Sequence, residues 1–111
     1  MSDPDRATFV YMTAGGVEQA RALGRALVEE RLAACVNIVD GMRSIYRWQG
    51  KVEEATEAVI VAKTTARLVD ALTARVRELH DYDCPCVVAL DIAGGNPDYL
   101  EWISAETGRP G

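Results

Sequence analysis

Hydrophobic positions recur along the chain in two spacings, one typical of helices and one typical of strands. Apolar residues three and four positions apart predict a helix from Val17 to about residues 31–33, and a second helix over residues 66–80. Stretches rich in β-branched, aromatic and continuously apolar residues predict four strands. These strands cover residues 8–13, 35–48 with a bend at Asp40-Gly41, 52–64 and 86–92.

Two short motifs define how the predicted elements turn and begin. Residues 49–51 form a predicted turn between the second and third strands, with Gly50 where a positive φ is needed. The second motif is a helix start, in which Asn96 is the cap, Pro97 the first helical residue with its fixed φ, and Asp98 an acid in the first turn. They predict a short terminal helix.

The order of elements is β-α-β-β-α-β followed by the terminal helix. Right-handed crossovers place both long helices on one face of an antiparallel sheet, which predicts an α+β, ferredoxin-like fold. Residues 58–63 and 86–92 are nevertheless apolar on both faces, and the hairpin over residues 42–56 is longer than two helices can cover. We therefore expect the chain to bury this surface in a homo-oligomer.

Composition narrows the classes of function. A length of 111 residues predicts one domain over 1–111, with loose tails at residues 1–6 and 107–111. The formal net charge of −5 argues against a nucleic-acid or anionic-membrane partner, and the apolar runs are too short for a membrane span. The three cysteines are too few for a disulfide framework, and the polar N-terminus is unlike a signal peptide. These features predict a reduced, cytoplasmic protein.

One local cluster of residues could bind a soft metal ion. His80, Cys84 and Cys86 offer an imidazole and two thiols within one loop and the start of a strand, a donor set that suits copper(I) or zinc. The spacing matches no standard zinc motif. In the alternative interpretation, His80 ends its helix and both cysteines are small core residues.

Other candidates lie on the predicted hairpin and near the C-terminus. Glu53, Glu54 and Glu57 could bind a hard cation or act in acid–base chemistry, and one or two of them could line a cleft between subunits with His80. In the alternative interpretation, which we favour, they form ion pairs across strands or between subunits. The aromatic side chains could stack on a planar ligand, or they could fill a subunit interface. We expect the interface use for Tyr46, Trp48 and Trp102.

Five motifs resemble the CutA family of divalent-cation tolerance proteins, in order and over nearly the whole chain. They are residues 30–37 (ERLAACVN), 44–52 (SIYRWQGKV), 63–64 (KT), 80–85 (HDYDCP) and 95–102 (GNPDYLEW). The resemblance implies a tight homotrimer similar to the PII signalling proteins, in the cytoplasm of bacteria, with a link to copper and other divalent cations. In that family copper is assigned to positions that here hold Met12, Leu79 and His80. Met12 thus joins His80, Cys84 and Cys86 as a candidate ligand for copper(I).

The leading functional expectation is a non-enzymatic, trimeric, cytoplasmic protein of divalent-cation tolerance, with copper or another divalent cation as its ligand. The alternative is a PII- or ACT-like regulator that binds a small molecule or another protein in clefts between subunits. An acylphosphatase-like enzyme would need an Arg in the loop before the first helix. The loop here is Ala14-Gly15-Gly16, and the nearest Arg is Arg21, inside the helix.

Overall fold

The computed structural model describes residues 3–108 and has the expected order of elements. The strands are β1 (Ala7–Ala14), β2 (Cys35–Trp48), β3 (Lys51–Thr65) and β4 (Val87–Asp91). The α-helices are α1 (Val17–Glu29), α2 (Val69–Leu79) and α3 (Pro97–Ala105), and a 3₁₀ turn over Ala66–Leu68 precedes α2. The four strands form one antiparallel sheet in the order β2-β3-β1-β4. The α+β, ferredoxin-like prediction is confirmed.

Alternation along the central strands decides which face of the sheet is buried. On β1, Val10, Met12 and Ala14 are fully buried. These residues share one core with apolar side chains of α1 and α2, so both long helices cover the same face. We call the opposite face of the sheet the open face. It carries Tyr11 and Thr13 of β1 and their neighbours on the other strands.

The open face is apolar in spite of its exposure. Val39, Val88 and Leu90 are 58%, 50% and 53% exposed. Strand register places them beside Phe9 and Val59 on the same face, because Val39 pairs with Val59 and Leu90 pairs with Phe9. Apolar side chains in such a continuous band normally mark an interaction surface. The bare, apolar sheet face expected from the sequence is present.

The hairpin of β2 and β3 extends past the helices. Its tip has two consecutive left-handed residues, Gln49 (φ 50) and Gly50 (φ 81), a pair typical of the turns that match strand twist. A register shift between Val39 and Met42, with Gly41 at φ 79, bends the hairpin at the predicted position. The molecule is consequently elongated, measuring 43 × 27 × 22 Å.

The first helix ends earlier than predicted, at Glu29, because Arg31 takes a left-handed conformation with φ 62. The Leu32 N–H donates to the Leu27 carbonyl at 2.9 Å, and the Arg31 N–H donates to the Val28 carbonyl at 3.1 Å. This pair of bonds is the Schellman arrangement, here built with an arginine where glycine is usual.

Both predicted tails are packed where the structure describes them. The Ala66 N–H donates to the Arg6 carbonyl at 3.0 Å, and Arg6 also pairs with Asp91. At the other end Thr107 is buried, and the Gly108 N–H donates to the Arg31 carbonyl at 2.9 Å. The described parts of both predicted tails thus make backbone hydrogen bonds to the folded domain, while residues 3–5 and 108 stay exposed. Residues 1–2 and 109–111 lie outside the described part of the chain.

Within residues 3–108, no helix is both long enough and apolar enough to cross a membrane.

Candidate functional site

A groove of about 660 Å³ lies on the open face, where the hairpin leaves the sheet. Strand β1, the hairpin and the loop between α2 and β4 each contribute side chains to it. The lining includes Tyr11, Thr13, Met42, Tyr46, Trp48, Glu57, Tyr82, Cys84 and Cys86. A volume of this size is typical of small-molecule sites.

Strand geometry explains why these residues converge. Tyr11 and Thr13 point to the open face because their neighbours Met12 and Ala14 point into the core. On the hairpin, Met42 pairs directly with Glu57, so the two side chains lie side by side on that same face. The loop between α2 and β4 adds Tyr82, Asp83 and Cys84 to the lining.

The central polar contact of the groove joins Glu57 to Tyr82. The Tyr82 hydroxyl donates to Glu57 Oε2 at 2.8 Å, and Glu57 is only 8% exposed. Burial and the bond to the Glu57 carboxylate raise the pKa of Tyr82 to about 12. Gly15 lies against this contact, since a Cβ there would be 3.4 Å from the Tyr82 hydroxyl oxygen. The tyrosine is therefore a neutral donor at physiological pH.

His80 positions the loop that carries Tyr82. Its Nε2 donates to the Thr13 carbonyl at 2.8 Å, and its Nδ1 accepts from the Tyr82 N–H at 3.0 Å. A carbonyl can only accept and an N–H can only donate, so these bonds select the neutral Nε2–H tautomer. Both ring nitrogens are thus engaged by the backbone. The backbone N–H of His80 also donates to the Val76 carbonyl. The structure thus agrees with the interpretation in which His80 ends its helix.

The structure does not assemble the predicted metal ligands. Met12 is fully buried on the helix side of the sheet, whereas Cys84 and Cys86 line the groove on the open face. His80 has no free nitrogen, and Cys84 is exposed. Across residues 3–108, no group of three or more His, Cys, Asp or Glu side chains could hold a metal ion. The structure therefore does not bring His80, Cys84, Cys86 and Met12 together as one site within a single chain, and copper binding stays a prediction.

The thiol of Cys86 is also difficult to ionise. Burial, and then the nearby Glu57 carboxylate, raise the pKa of the Cys86 thiol. A raised thiol pKa lowers the fraction of the form that binds soft metals or reacts.

The predicted interface residues divide into two places. Tyr46, Trp48 and Glu57 lie together at the groove. Glu53 is exposed and pairs directly with Tyr46 on the hairpin. Trp102 lies on α3, where its ring centroid is 5.5 Å from that of Tyr99. Their burial between subunits stays a prediction.

Sequence reasoning missed Tyr11 and Met42 as members of the groove. The Tyr11 hydroxyl donates to the Met42 sulfur at 3.4 Å, which links β1 to the hairpin. Strand alternation in residues 8–13 could have placed Tyr11 on the open face. The pairing partner of Met42 depends on the register shift at Gly41, for which the sequence signal was only a bend.

This geometry defines a class of protein: a small ferredoxin-like domain with an exposed apolar sheet face and a protruding hairpin. The profile of the CutA1 divalent ion tolerance protein family matches residues 8–106. The chain belongs to the CutA1 family.

Named relatives cover nearly all of this chain. The divalent-cation tolerance protein CutA of Thermus thermophilus is 52% identical over 99 residues, which is 89% of this chain and 96% of that protein. The human protein CutA is 41% identical over 104 residues, which is 94% of this chain but only 58% of the human protein.

Solved structures agree with the fold. The structure of the divalent cation tolerance protein of Thermus thermophilus superposes with a TM-score of 0.90 at 51% identity, covering 92% of this chain and 99% of that one. The Oryza sativa CutA1 structure gives a TM-score of 0.91 at 43% identity, covering 98% and 100%.

Proposed function

We propose that this protein acts without catalysis in the tolerance of, or response to, divalent cations, as a cytoplasmic homotrimer. Membership of the CutA1 family supports the cation role. The loop between β1 and α1 has no basic side chain, which speaks against acylphosphatase-like catalysis. Relatives are named for other compartments, chloroplastic in Arabidopsis thaliana and periplasmic in Archaeoglobus fulgidus. The three free cysteines favour a reducing compartment for this chain.

The observation that carries the assembly is the exposed apolar band of the open face, formed by Val39, Val88, Leu90 and their neighbours. A monomer would leave this band in water, and a second copy of the same sheet offers a complementary apolar surface. The hairpin that carries Tyr46, Trp48 and Glu53 projects beyond its own helices, where it can reach a neighbouring subunit.

Sedimentation tests the assembly directly. The wild-type protein is expected to sediment at three times the mass of one chain. Leu90→Glu places a charge in the apolar band and should give monomers, whereas the matched control Val28→Glu changes an exposed valine of α1 and should remain trimeric. A wild-type monomer at micromolar concentration would contradict the proposal.

Growth tests the cation role. Expression of this chain in a bacterium that lacks its own CutA should restore growth at inhibitory copper concentrations, and Leu90→Glu should fail to do so. Equal copper sensitivity with and without the wild-type chain would overturn the role while leaving the assembly intact.

The groove favours a second candidate function, a regulator that binds a small molecule. Aromatic side chains and one buried carboxylate, that of Glu57, line the same groove, and such a combination suits the binding of a small molecule.

A further inference from the structure

The bend in β2 contains the one aspartate of the sequence that is followed by glycine, Asp40-Gly41. The register shift between Val39 and Met42 falls on these two residues. Together they oppose a single residue of β3, Ala58, which makes a β-bulge whose extra residue has no regular ladder partner. Because Val39 belongs to the open face, the Asp40 side chain lies on the other face of the sheet, away from the apolar band.

The Asp40 carboxyl group is held against the nitrogen of the next peptide group. The Gly41 N–H donates to Asp40 Oδ1 at 2.8 Å. A bond from this nitrogen to Cγ of the aspartate closes a five-membered succinimide ring. Two groups kept side by side react far faster than the same groups free in solution. The contact therefore favours this ring closure.

The surroundings of the bend leave room for the ring. Apart from its chain neighbours, a Cβ built on Gly41 would have no atom within 4 Å, and both residues are exposed. Gly41 has φ 79 and carries no side chain that would shield its nitrogen. Since the bulge leaves Asp40 and Gly41 outside the regular ladder, their backbone can adjust as the ring forms.

Asp91 has the opposite arrangement at the end of β4. Its carboxylate pairs with Arg6, and the N–H of the next residue, Ile92, donates to the Ala7 carbonyl at 3.1 Å. Both groups that would have to react are thus held by other partners. Local contacts therefore distinguish Asp40 from another exposed aspartate of the same sheet.

We propose that Asp40 is a site of spontaneous isomerisation to isoaspartate in the folded protein. The Gly41 nitrogen loses its proton and bonds to Cγ of Asp40, the bond from Cγ to one carboxyl oxygen breaks, and one water molecule leaves. Water then adds to either carbonyl of the ring. Addition at Cγ restores aspartate, whereas addition at the main-chain carbonyl of Asp40 leaves the chain running through Cβ and Cγ, with a free α-carboxylate. One water is lost and one is gained, so no other reactant is needed.

The modification goes beyond the tolerance role proposed above and does not rest on it. The reaction is intramolecular, so it needs no partner and no docking surface. Isoaspartate lengthens the main chain by one carbon at the bulge, and it therefore changes the direction in which the hairpin leaves the sheet.

Peptide mapping of the intact protein tests the proposal. Trypsin releases residues 32–43, in which Asp40 is the only acidic residue. After incubation at neutral pH in heavy-oxygen water, the isoaspartyl form of this peptide should accumulate and carry the heavy isotope. Peptides that contain the other aspartates of residues 3–108 should hold at least about tenfold less isoaspartate.

Two variants locate the reaction at the Asp40 side chain. Asp40→Glu would have to close a six-membered ring, and it should form at least about tenfold less of the rearranged peptide. Asp40→Asn closes the same ring as wild type, with loss of ammonia instead of water, and should react faster. The matched control Asp70→Asn places an amide at an exposed position of α2, before Ala71, and should react at least about tenfold more slowly than Asp40→Asn.

A synthetic peptide of residues 32–43 gives the rate without the fold. The folded protein should isomerise at no less than about one tenth of that rate, because the contact and the open bulge are present in the native state. A slower rate in the folded protein, or equal isoaspartate at Asp40 and Asp91, would overturn the proposal. This comparison uses the wild-type chain and decides the question even if a variant does not fold.

Discussion

Removal of the Tyr82 hydroxyl should destabilise the folded protein because it leaves a buried carboxylate without its described donor. Glu57 is 8% exposed, and the bond between Tyr82 and Glu57 Oε2 is 2.8 Å long. A hydrogen bond to a charged group contributes about 1.5–3 kcal/mol. Water can replace part of that contribution because Tyr82 is 37% exposed. We therefore expect Tyr82→Phe to lower the free energy of unfolding by about 1.5 kcal/mol at neutral pH.

Urea denaturation at fixed protein concentration measures the effect, with Glu57→Gln as the second arm of a double-mutant cycle. The amide oxygen of the substituted side chain still accepts from Tyr82, so Glu57→Gln alone should cost less than Tyr82→Phe. The two changes together should cost less than their sum, by about 1 kcal/mol, because they act on one contact. Additive losses would refute a direct bond between the two side chains.

The same contact predicts a dependence on alkaline pH. The pKa of Tyr82 is raised from 10.0 to about 12, so the folded state favours the protonated hydroxyl. This contribution is fully present below pH 10 and is lost as the pH rises towards 12. Partial exposure reduces its size, and we expect wild type to lose about 1 kcal/mol more than Tyr82→Phe over that interval. Parallel losses in the two proteins would show that Tyr82 does not cause the shift.

Three further substitutions test local packing through unfolding free energies. Arg31→Gly should stabilise the protein by about 0.5 kcal/mol, because glycine adopts φ 62 without strain; a loss would contradict the assigned helix end. Asn96→Ala should cost about 1 kcal/mol, since the Asn96 side chain accepts from the Asp98 N–H, and an unchanged melt would argue against this cap. Gly24→Ala should destabilise the protein by about 1 kcal/mol, although alanine has the better helix propensity, because the added Cβ would lie 2.9 Å from Val36 Cγ1. Adding Val36→Ala should restore the lost stability, and a double variant as unstable as Gly24→Ala alone would refute the clash.

Hydrophobic spacing was sufficient to predict the order of elements, and the right-handed crossover rule placed both long helices on one face of the sheet. The predicted helix ends were wrong for reasons of local backbone conformation, which the spacing of hydrophobic residues does not reveal. The first helix stops at Glu29 because Arg31 adopts a left-handed conformation, which few non-glycine residues do. The second begins with a 3₁₀ turn over Ala66–Leu68, where the apolar stripe already had helical spacing.

The members of the groove were partly predictable, but the contact at its centre was not. Tyr46, Trp48 and Glu57 stood out in the sequence as aromatic and acidic side chains on one hairpin. The bond from Tyr82 to Glu57 spans 25 positions of the chain. It depends on the loop geometry that His80 fixes through its two ring nitrogens. Such a contact follows from tertiary packing and leaves no periodic signal.

The misplaced metal ligand was, in contrast, an avoidable error of strand parity. Residues 8–13 alternate along β1, so neighbouring side chains point to opposite faces of the sheet. Once Val10 is assigned to the core, Met12 must share that face, and Tyr11 must lie on the other. A ligand set that combines Met12 with Cys86 would have to reach through the sheet. A shift of one residue along a strand moves a side chain to the opposite face of the sheet. A ligand position taken from the family can therefore be assigned to this chain only after two checks: the face on which the residue lies, and whether its side chain can bind the metal.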